Sequence, residues 1–321
     1  MTLSRVVVIG AINWDTTIFV RKFPQAGEET IVHQIIQTPG GKGGNAATAA
    51  ARLLDRNQVA IFGGIGGDSI AAEQLRMFEV EGVNVAGLKR TEEQQSGQAF
   101  VVVDETGENL IYTHPGANVS FSPDDLNEPT RKDQISRASC IAIINPPLET
   151  AIKLAHEART LGKRIIYDPG VNAEKGLGQL QSIIKCTDYI IANESEVRNL
   201  TGTVDSVKAS EILRRCNPQL KVVTKLAARG SIMFGIDEIV QCEALDLQTI
   251  GMRVTNTVGC GDAFLGAFTV ALSENLPDLD ALRWGSCCAG LKAAKPETRG
   301  GPNRETLLRH VGQVKVTKRP S

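Results

Sequence analysis

The apolar positions of this chain fall into short unbroken runs separated by stretches with helical spacing. Six runs rich in β-branched residues, at 6–9, 59–62, 140–144, 164–167, 189–192 and 222–224, show no in-out alternation, as strands covered on both faces require. Around them, residues 46–54, 70–81, 148–161, 194–200, 207–216 and 262–274 combine good helix formers with apolar residues three and four apart. This alternation predicts an α/β fold, a doubly wound, mostly parallel sheet with helices on both faces.

Two segments depart from that rhythm. Residues 12–37 and 94–114 carry period-2 strands and turn residues with no helix between them. Residues 98–103 and 109–113 read as the arms of a hairpin, because Asp104, Thr106 and Gly107 cluster between two β-prone runs. The two insertions together predict a small β-sheet lid over the strand ends, placed to exclude water from a site. An edge extension of the main sheet is the other reading. The core then comprises residues 1–11, 38–93 and 115–321, and the lid residues 12–37 and 94–114. The tail, 315–321, reads as frayed.

Composition narrows the function. With 321 residues, 42% of them hydrophobic, the chain can bury a large core as one sizeable α/β domain or two modest ones. The 35 basic residues against 36 acidic leave a net charge of -1, and no Lys/Arg-rich run is interleaved with aromatics. Nucleic acid is therefore not expected as a partner. The chain passes from Met1 through Arg5 into the run at 6–9, which is too brief for a signal peptide or a membrane span. Seven cysteines without a C-x-x-C pair and four scattered histidines make a zinc site improbable, and reduced thiols fit a cytoplasmic location.

The most informative stretch is Thr255-Asn256-Thr257-Val258-Gly259-Cys260-Gly261-Asp262-Ala263-Phe264, where two glycines flank a small residue just before an apolar helix. The amides of Gly259, Cys260 and Gly261 would point at an anion, and the helix dipole adds positive potential at the same place. On local sequence alone, Asp262 reads equally as a helix cap or as a base beside that anion. A second glycine cluster, Pro39-Gly40-Gly41-Lys42-Gly43-Gly44-Asn45, lacks the Ser or Thr that a P-loop carries after Gly-Lys. Its small residues and Asn45 could instead admit a polyhydroxylated ligand. The third, Gly63-Gly64-Ile65-Gly66-Gly67-Asp68-Ser69, has Ser69 where a dinucleotide fingerprint needs its last glycine.

Taken together, these stretches resemble the ribokinase-like (PfkB) carbohydrate kinases, nearly end to end and in the expected order. Gly40-Gly41-Lys42-Gly43-Gly44-Asn45 looks like the first family signature and residues 256–262 like the second. Asn193-Glu194-Ser195-Glu196 matches N-x-x-E, Asn13-Trp14-Asp15 matches N-x-D, and Gly116-Ala117-Asn118 and Leu226-Ala227-Ala228-Arg229-Gly230 resemble further landmarks.

The resemblance implies a kinase that moves the γ-phosphoryl of ATP to a sugar hydroxyl, with Asp262 as base and Gly259, Cys260 and Gly261 as anion hole. It implies that Asp15, Gly41 and Asn45 hold the sugar, with Asn13 and Lys42 close by. Asn193, Lys225, Arg229 and Gly230 would line the nucleotide, and Glu196 would hold Mg²⁺ through water. A carboxylate at a helix start, with a reference pKa of about 3.9, is expected to stay ionised at neutral pH. The alternatives are a nucleoside kinase of the same fold, with a base near Gln98 and Trp14, and a non-catalytic sugar or nucleotide sensor. A homodimer through the lid sheets is also implied.

Departures from the family pattern matter too. Asn256 stands where the second signature begins with Asp, and residues 295–301 align poorly with the family's cation loop, which puts potassium activation in doubt. Asn145 stands where ribokinases tend to carry a substrate-side Glu. Trp284, His114, Cys287, Cys288 and Cys260 read as packing residues, Trp14 as a stacking or lid contact, and Arg299 as a solvated cation.

Overall fold

A computed structural model describes residues 4–320. From the N-terminus, β1 (Val6–Gly10) leads into β2 (Asn13–Val20) and β3 (Val32–Gly40), followed by α1 (Lys42–Ala51), β4 (Val59–Gly66), α2 (Ser69–Val80) and β5 (Leu88–Thr91). A hairpin of β6 (Gly97–Val103) and β7 (Asn109–His114) precedes α3 (Pro129–Arg137). Strand and helix then alternate through β8 (Cys140–Ile144), α4 (Leu148–Thr160), β9 (Arg164–Asp168), α5 (Gly176–Cys186) and β10 (Tyr189–Asn193). After the helix pair α6 (Glu194–Thr201) and α7 (Ser206–Arg214) come β11 (Lys221–Lys225), β12 (Ser231–Phe234) and β13 (Glu238–Cys242). Three helices, α8 (Cys260–Ser273), α9 (Asp278–Ala293) and α10 (Arg304–His310), and the strand β14 (Val316–Pro320) complete the chain.

The main sheet has the order β14-β13-β12-β11-β10-β9-β8-β1-β4-β5. From β11 to β5 all neighbours pair in parallel, with Val6 of β1 level with both Val59 and Cys140. Every residue of β1, β4 and β8 is buried, because helices cover both faces; this is why those strands read as unbroken apolar runs. The six expected strands all lie in this one sheet.

The tail overturns its expectation. Residues 316–320 form the antiparallel edge strand β14, in register with β13 from Val316 opposite Cys242 to Pro320 opposite Glu238. A polar strand carrying Lys318 and Pro320 suits a sheet edge, where its outer groups face water. Ser321 lies outside the described residues.

The two insertions form a separate four-stranded sheet, β3-β2-β6-β7, not an extension of the main one. They are joined by a parallel pairing of β2 with β6, from Asn13 opposite Gly97 to Phe19 opposite Val103. The hairpin turn is held by Asp104, whose Oδ1 accepts N–H bonds from Thr106 at 2.9 Å and Glu108 at 3.1 Å. Gly107 supplies the positive φ of 85° that the turn requires. His114, expected to pack, is exposed at the end of β7, whereas Trp284, Cys287 and Cys288 are buried as expected.

One helix sets the geometry of everything that follows. Nearly all of α8 is apolar and buried, as a helix packed on all sides must be. It lies against α1 and α9. At Gly266 a Cβ would come within 2.6 Å of Ala46 O and 3.0 Å of Ala50 N, so only glycine lets α1 approach this closely. The N-termini of the two helices are thereby brought together.

Candidate active site

The glycine cluster at 40–45 folds differently from a loop that precedes its helix. Helix α1 already begins at Lys42, with Gly41 as its cap at φ 82°, so Gly43, Gly44 and Asn45 form its first turns. The N–H groups of Gly43 and Gly44 donate to Ala11 O at 3.0 and 3.3 Å. This cluster therefore spends its amides on the β1–β2 junction and presents side chains instead. Asn45 is buried; its Nδ2 donates to Asp262 Oδ2 at 2.8 Å, and its Oδ1 is buried without a hydrogen-bond partner. Such an unsatisfied acceptor is costly unless a ligand donor completes it.

Helix α8 starts at Cys260, capped by Gly259 in the left-handed region at φ 83°. Of the three amides expected to face an anion, Cys260 N–H donates to Thr257 O at 3.2 Å, whereas those of Gly259 and Gly261 have no acceptor among the described residues. Asp262 is one residue further on, in the first turn. Burial pushes its carboxyl up to about 6, against the lowering by the Lys42 charge and the Asn45 hydrogen bond. Desolvation, not the helix end, dominates this group, yet a value of about 6 still leaves the carboxyl mainly ionised at neutral pH.

Three charged groups, Lys42, Asp168 and Lys225, act on Asp262. Lys42 Nζ donates to Glu196 Oε1 at 3.3 Å. Burial disfavours its charge, yet the Asp168, Glu196 and Asp262 carboxylates hold its pKa above the ordinary lysine value. Lys225 Nζ donates to Asp168 Oδ2 at 2.6 Å and would lie 3.4 Å from a Cβ on Gly261. Its ammonium thus stands directly beside the open amides of α8.

The lid contributes from the other side. Asp15, on β2, lies so close to Gly40 that a Cβ there would collide with its carboxylate. Burial raises Asp15 to about 6, with the Arg299 charge opposing. Asn13 Oδ1 accepts from Asn118 Nδ2 at 2.8 Å, and Asn118 Oδ1 accepts from Ile12 N at 2.8 Å. Asn118 therefore clamps the strand crossing from core to lid. Half-buried Trp14 is paired opposite Pro39 and Gln98 within that sheet.

On the remaining side, Asn193 and Glu196 form a reciprocal cap on α6. Asn193 Oδ1 accepts Glu196 N–H at 2.8 Å and Glu196 Oε2 accepts Asn193 N–H at 2.8 Å. Arg229 and Gly230 sit on the turn from β11 to β12, Arg229 exposed and paired with Glu194 at 2.5 Å, Gly230 at φ 88°. Asn145 follows β8 at φ 55° and accepts Val171 N–H at 3.1 Å. Among the described residues no group of three or more His, Cys, Asp or Glu side chains could hold a metal ion directly.

The sequence profile described as pfkB family carbohydrate kinase matches residues 3–305. The chain belongs to that family. It is 27% identical over 325 residues to the bifunctional ribokinase/ribose-5-phosphate isomerase A of Fructilactobacillus sanfranciscensis; the match takes in 98% of the chain but only 58% of that longer protein. It is 30% identical over 309 residues to the ribokinase of Haemophilus influenzae, covering 94% of this chain and 96% of the relative. The structure of Arabidopsis thaliana ribokinase complexed with ribose and ATP superposes with a TM-score of 0.84 at 24% identity, covering 97% of this chain and 99% of that one. This pfkB kinase is accordingly a phosphotransferase acting on a hydroxyl group.

Three residues of the candidate site have roles that a reading of the sequence does not give. Asp168 ends β9, fully buried, and also accepts Gly170 N–H at 3.0 Å. Its signal was its place at the carboxyl end of a parallel strand, where ligands of such sheets bind. Asn118 was seen as a landmark but not as a clamp. Arg299 is no solvated cation: it is buried, its Nη2 donates to Gly40 O at 2.6 Å, its Nη1 donates to Gln74 Oε1 at 2.7 Å, and its guanidinium lies 4.6 Å over the Phe78 ring. It supports the glycine cluster from behind, through contacts that only the tertiary fold creates.

Proposed function

We propose that this chain transfers the γ-phosphoryl of ATP to a hydroxyl of a sugar. The observation that carries this reading is the buried Asp262 carboxylate, bonded to Asn45, beside the two open amides of Gly259 and Gly261 at the head of α8. A phosphoryl-transfer transition state needs oriented donors for its equatorial oxygens and a base for a poor nucleophile. Asp262 removes the proton of the attacking hydroxyl. Gly259 and Gly261 N–H groups receive the phosphoryl oxygens, with Cys260 starting the helix between them, and Lys225 adds its charge.

Asp15, Gly41 and Asn45 hold the sugar, the free Oδ1 of Asn45 accepting from a hydroxyl; Asn13 and Lys42 position these groups. Asn193, Arg229 and Gly230 flank the nucleotide. Both Glu196 oxygens already have partners, Asn193 N–H and Lys42, so this carboxylate fits Mg²⁺ through water better than by direct ligation. When bound, Mg²⁺ would neutralise nucleotide phosphates. The insertions 12–37 and 94–114 close over the acceptor and exclude water.

The lid's outer strands β3 and β7 expose Ile35, Ile36, Leu110, Ile111 and Tyr112, and we propose that a second copy of the chain covers this face. No helix among the described residues is long and apolar enough to cross a membrane.

A coupled assay decides the function: ribose, fructose phosphates, inositol and nucleosides, each with ATP, GTP or ADP and Mg²⁺. Transfer to a sugar supports the proposal. Transfer to nucleosides alone replaces it with a nucleoside kinase, and tight sugar binding without any transfer replaces it with a sensor.

A further inference from the structure

The loop that starts α8 rests on a lysine. Lys292, in the last turn of α9, is fully buried, and its Nζ donates to the backbone oxygen of Asn256 at 2.8 Å. Its Cε would lie 3.7 Å from a Cβ on Gly259, and the same side chain packs against Gly300 from below. The ammonium is therefore enclosed between the loop 256–261 and the loop 295–301, directly behind the amides that face the proposed phosphoryl site.

This cation has no anionic partner. Among the described residues no carboxylate oxygen lies within salt-bridge distance of Lys292, whereas the other lysines around the site, Lys42 and Lys225, each pair with a buried carboxylate. A buried charge without a counter-ion is strongly disfavoured, and such charges persist where they serve a ligand. Glu297, Asp262 and the Cys260 thiol act on it only at longer range.

The same contacts answer the question of a monovalent cation. Such an ion needs free oxygens at this place. Asn256 O is taken by Lys292, Asn256 Oδ1 accepts Val258 N–H at 2.9 Å, and Asn256 Nδ2 faces Pro296 O at 2.8 Å as a donor. The residues present do not fit a metal ion. We infer that the Lys292 ammonium is the built-in cation of this loop, a positioning residue that holds Asn256 and the α8 amides in place and supplies the positive charge otherwise brought by a monovalent ion. This rests on the anion-hole reading of Gly259 and Gly261.

The test compares wild type, Lys292→Met and Lys292→Ala in choline, sodium, potassium and ammonium chloride at equal ionic strength. Wild-type kcat and the melting temperature with ADP are expected to be the same in every salt. Lys292→Met should lose about tenfold in kcat, less than the 10²–10³ that deleting a direct oxyanion donor costs, with KM for the alcohol unchanged. Lys292→Ala should regain rate and melting temperature in potassium or ammonium chloride but not in choline chloride.

A wild-type enzyme activated or stabilised by potassium over choline overturns the inference, as does a Lys292→Met protein with full kcat. Should both variants fail to fold, the wild-type salt series alone still decides. A wild type that phosphorylates no alcohol defeats the proposed function instead, while the salt dependence of its melting temperature with ADP continues to report on Lys292.

Discussion

Asn45 and Asp262, 217 residues apart in sequence, meet at 2.8 Å where the first turns of α1 and α8 come together. The amide fixes one carboxylate oxygen and leaves the other to act, and the same side chain keeps a buried acceptor in reserve. On the proposed roles, this arrangement gives one volume in which an alcohol touches both a base and its orienting group.

Asp262→Asn is expected to fold, to bind nucleotide and to lose roughly 10²–10⁴ in kcat. It should also be more stable than wild type at neutral pH. Because the folded-state pKa is raised to about 6, the buried charge destabilises the fold by on the order of 3 kcal/mol above about pH 6, and not at all below about pH 4. Urea denaturation at both pH values measures the gap; a variant less stable at neutral pH would contradict the desolvation argument.

The pH profile of kcat/KM should fall on the acid side near 6, and more steeply than one proton allows. Asp15 and Asp262 are both raised to about 6 by burial, and on the proposed roles both must be ionised to accept from the alcohol. Asp15→Asn should reduce that slope to a single proton. Lys42→Met should move the limb to higher pH, since the Lys42 charge is what most lowers Asp262.

Gly266→Ala should damage the site without touching it. A methyl group meeting Ala46 O at 2.6 Å must push α1 from α8, at about 1–3 kcal/mol in stability. Activity should fall with it, because Asn45 rides on α1 and Asp262 on α8. Full kcat in a folded variant would show that the Asn45–Asp262 bond is dispensable.

Arg299→Lys should raise KM for the alcohol about tenfold with a smaller change in kcat, since two buried hydrogen bonds behind the glycine cluster are lost. Initial-rate kinetics measure it. Unaltered KM would mean that the cluster holds its shape without this support.

Much of this was legible in the chain and some was not, for identifiable reasons. The parallel strands announced themselves because burial on both faces leaves unbroken apolar runs such as Val6-Val7-Val8-Ile9. The glycines at 259 and 261 and Asp262 announced themselves by standing just before a long apolar helix, whereas the cluster at 40–45 looked like a loop although most of it is the start of α1. Strand β14 did not, since an edge strand of Val, Thr, Lys, Arg and Pro has the composition of a loose tail. Helix α9 has almost no amphipathic period, because it is covered nearly all round. Arg299 and Lys292 were illegible for a deeper reason: a cation's burial depends on which distant carbonyls surround it, and no local pattern records that.

Among the ties between lid and core, Asn118 grips Ile12 and Asn13 as β1 gives way to β2. Asp15 lies just beyond that grip, and Asp262 belongs to the body beneath. On the proposed roles, the group that selects the alcohol and the group that activates it travel on different pieces of the protein. Acceptor preference can then drift through changes in the small sheet alone, while the machinery of transfer stays as it is.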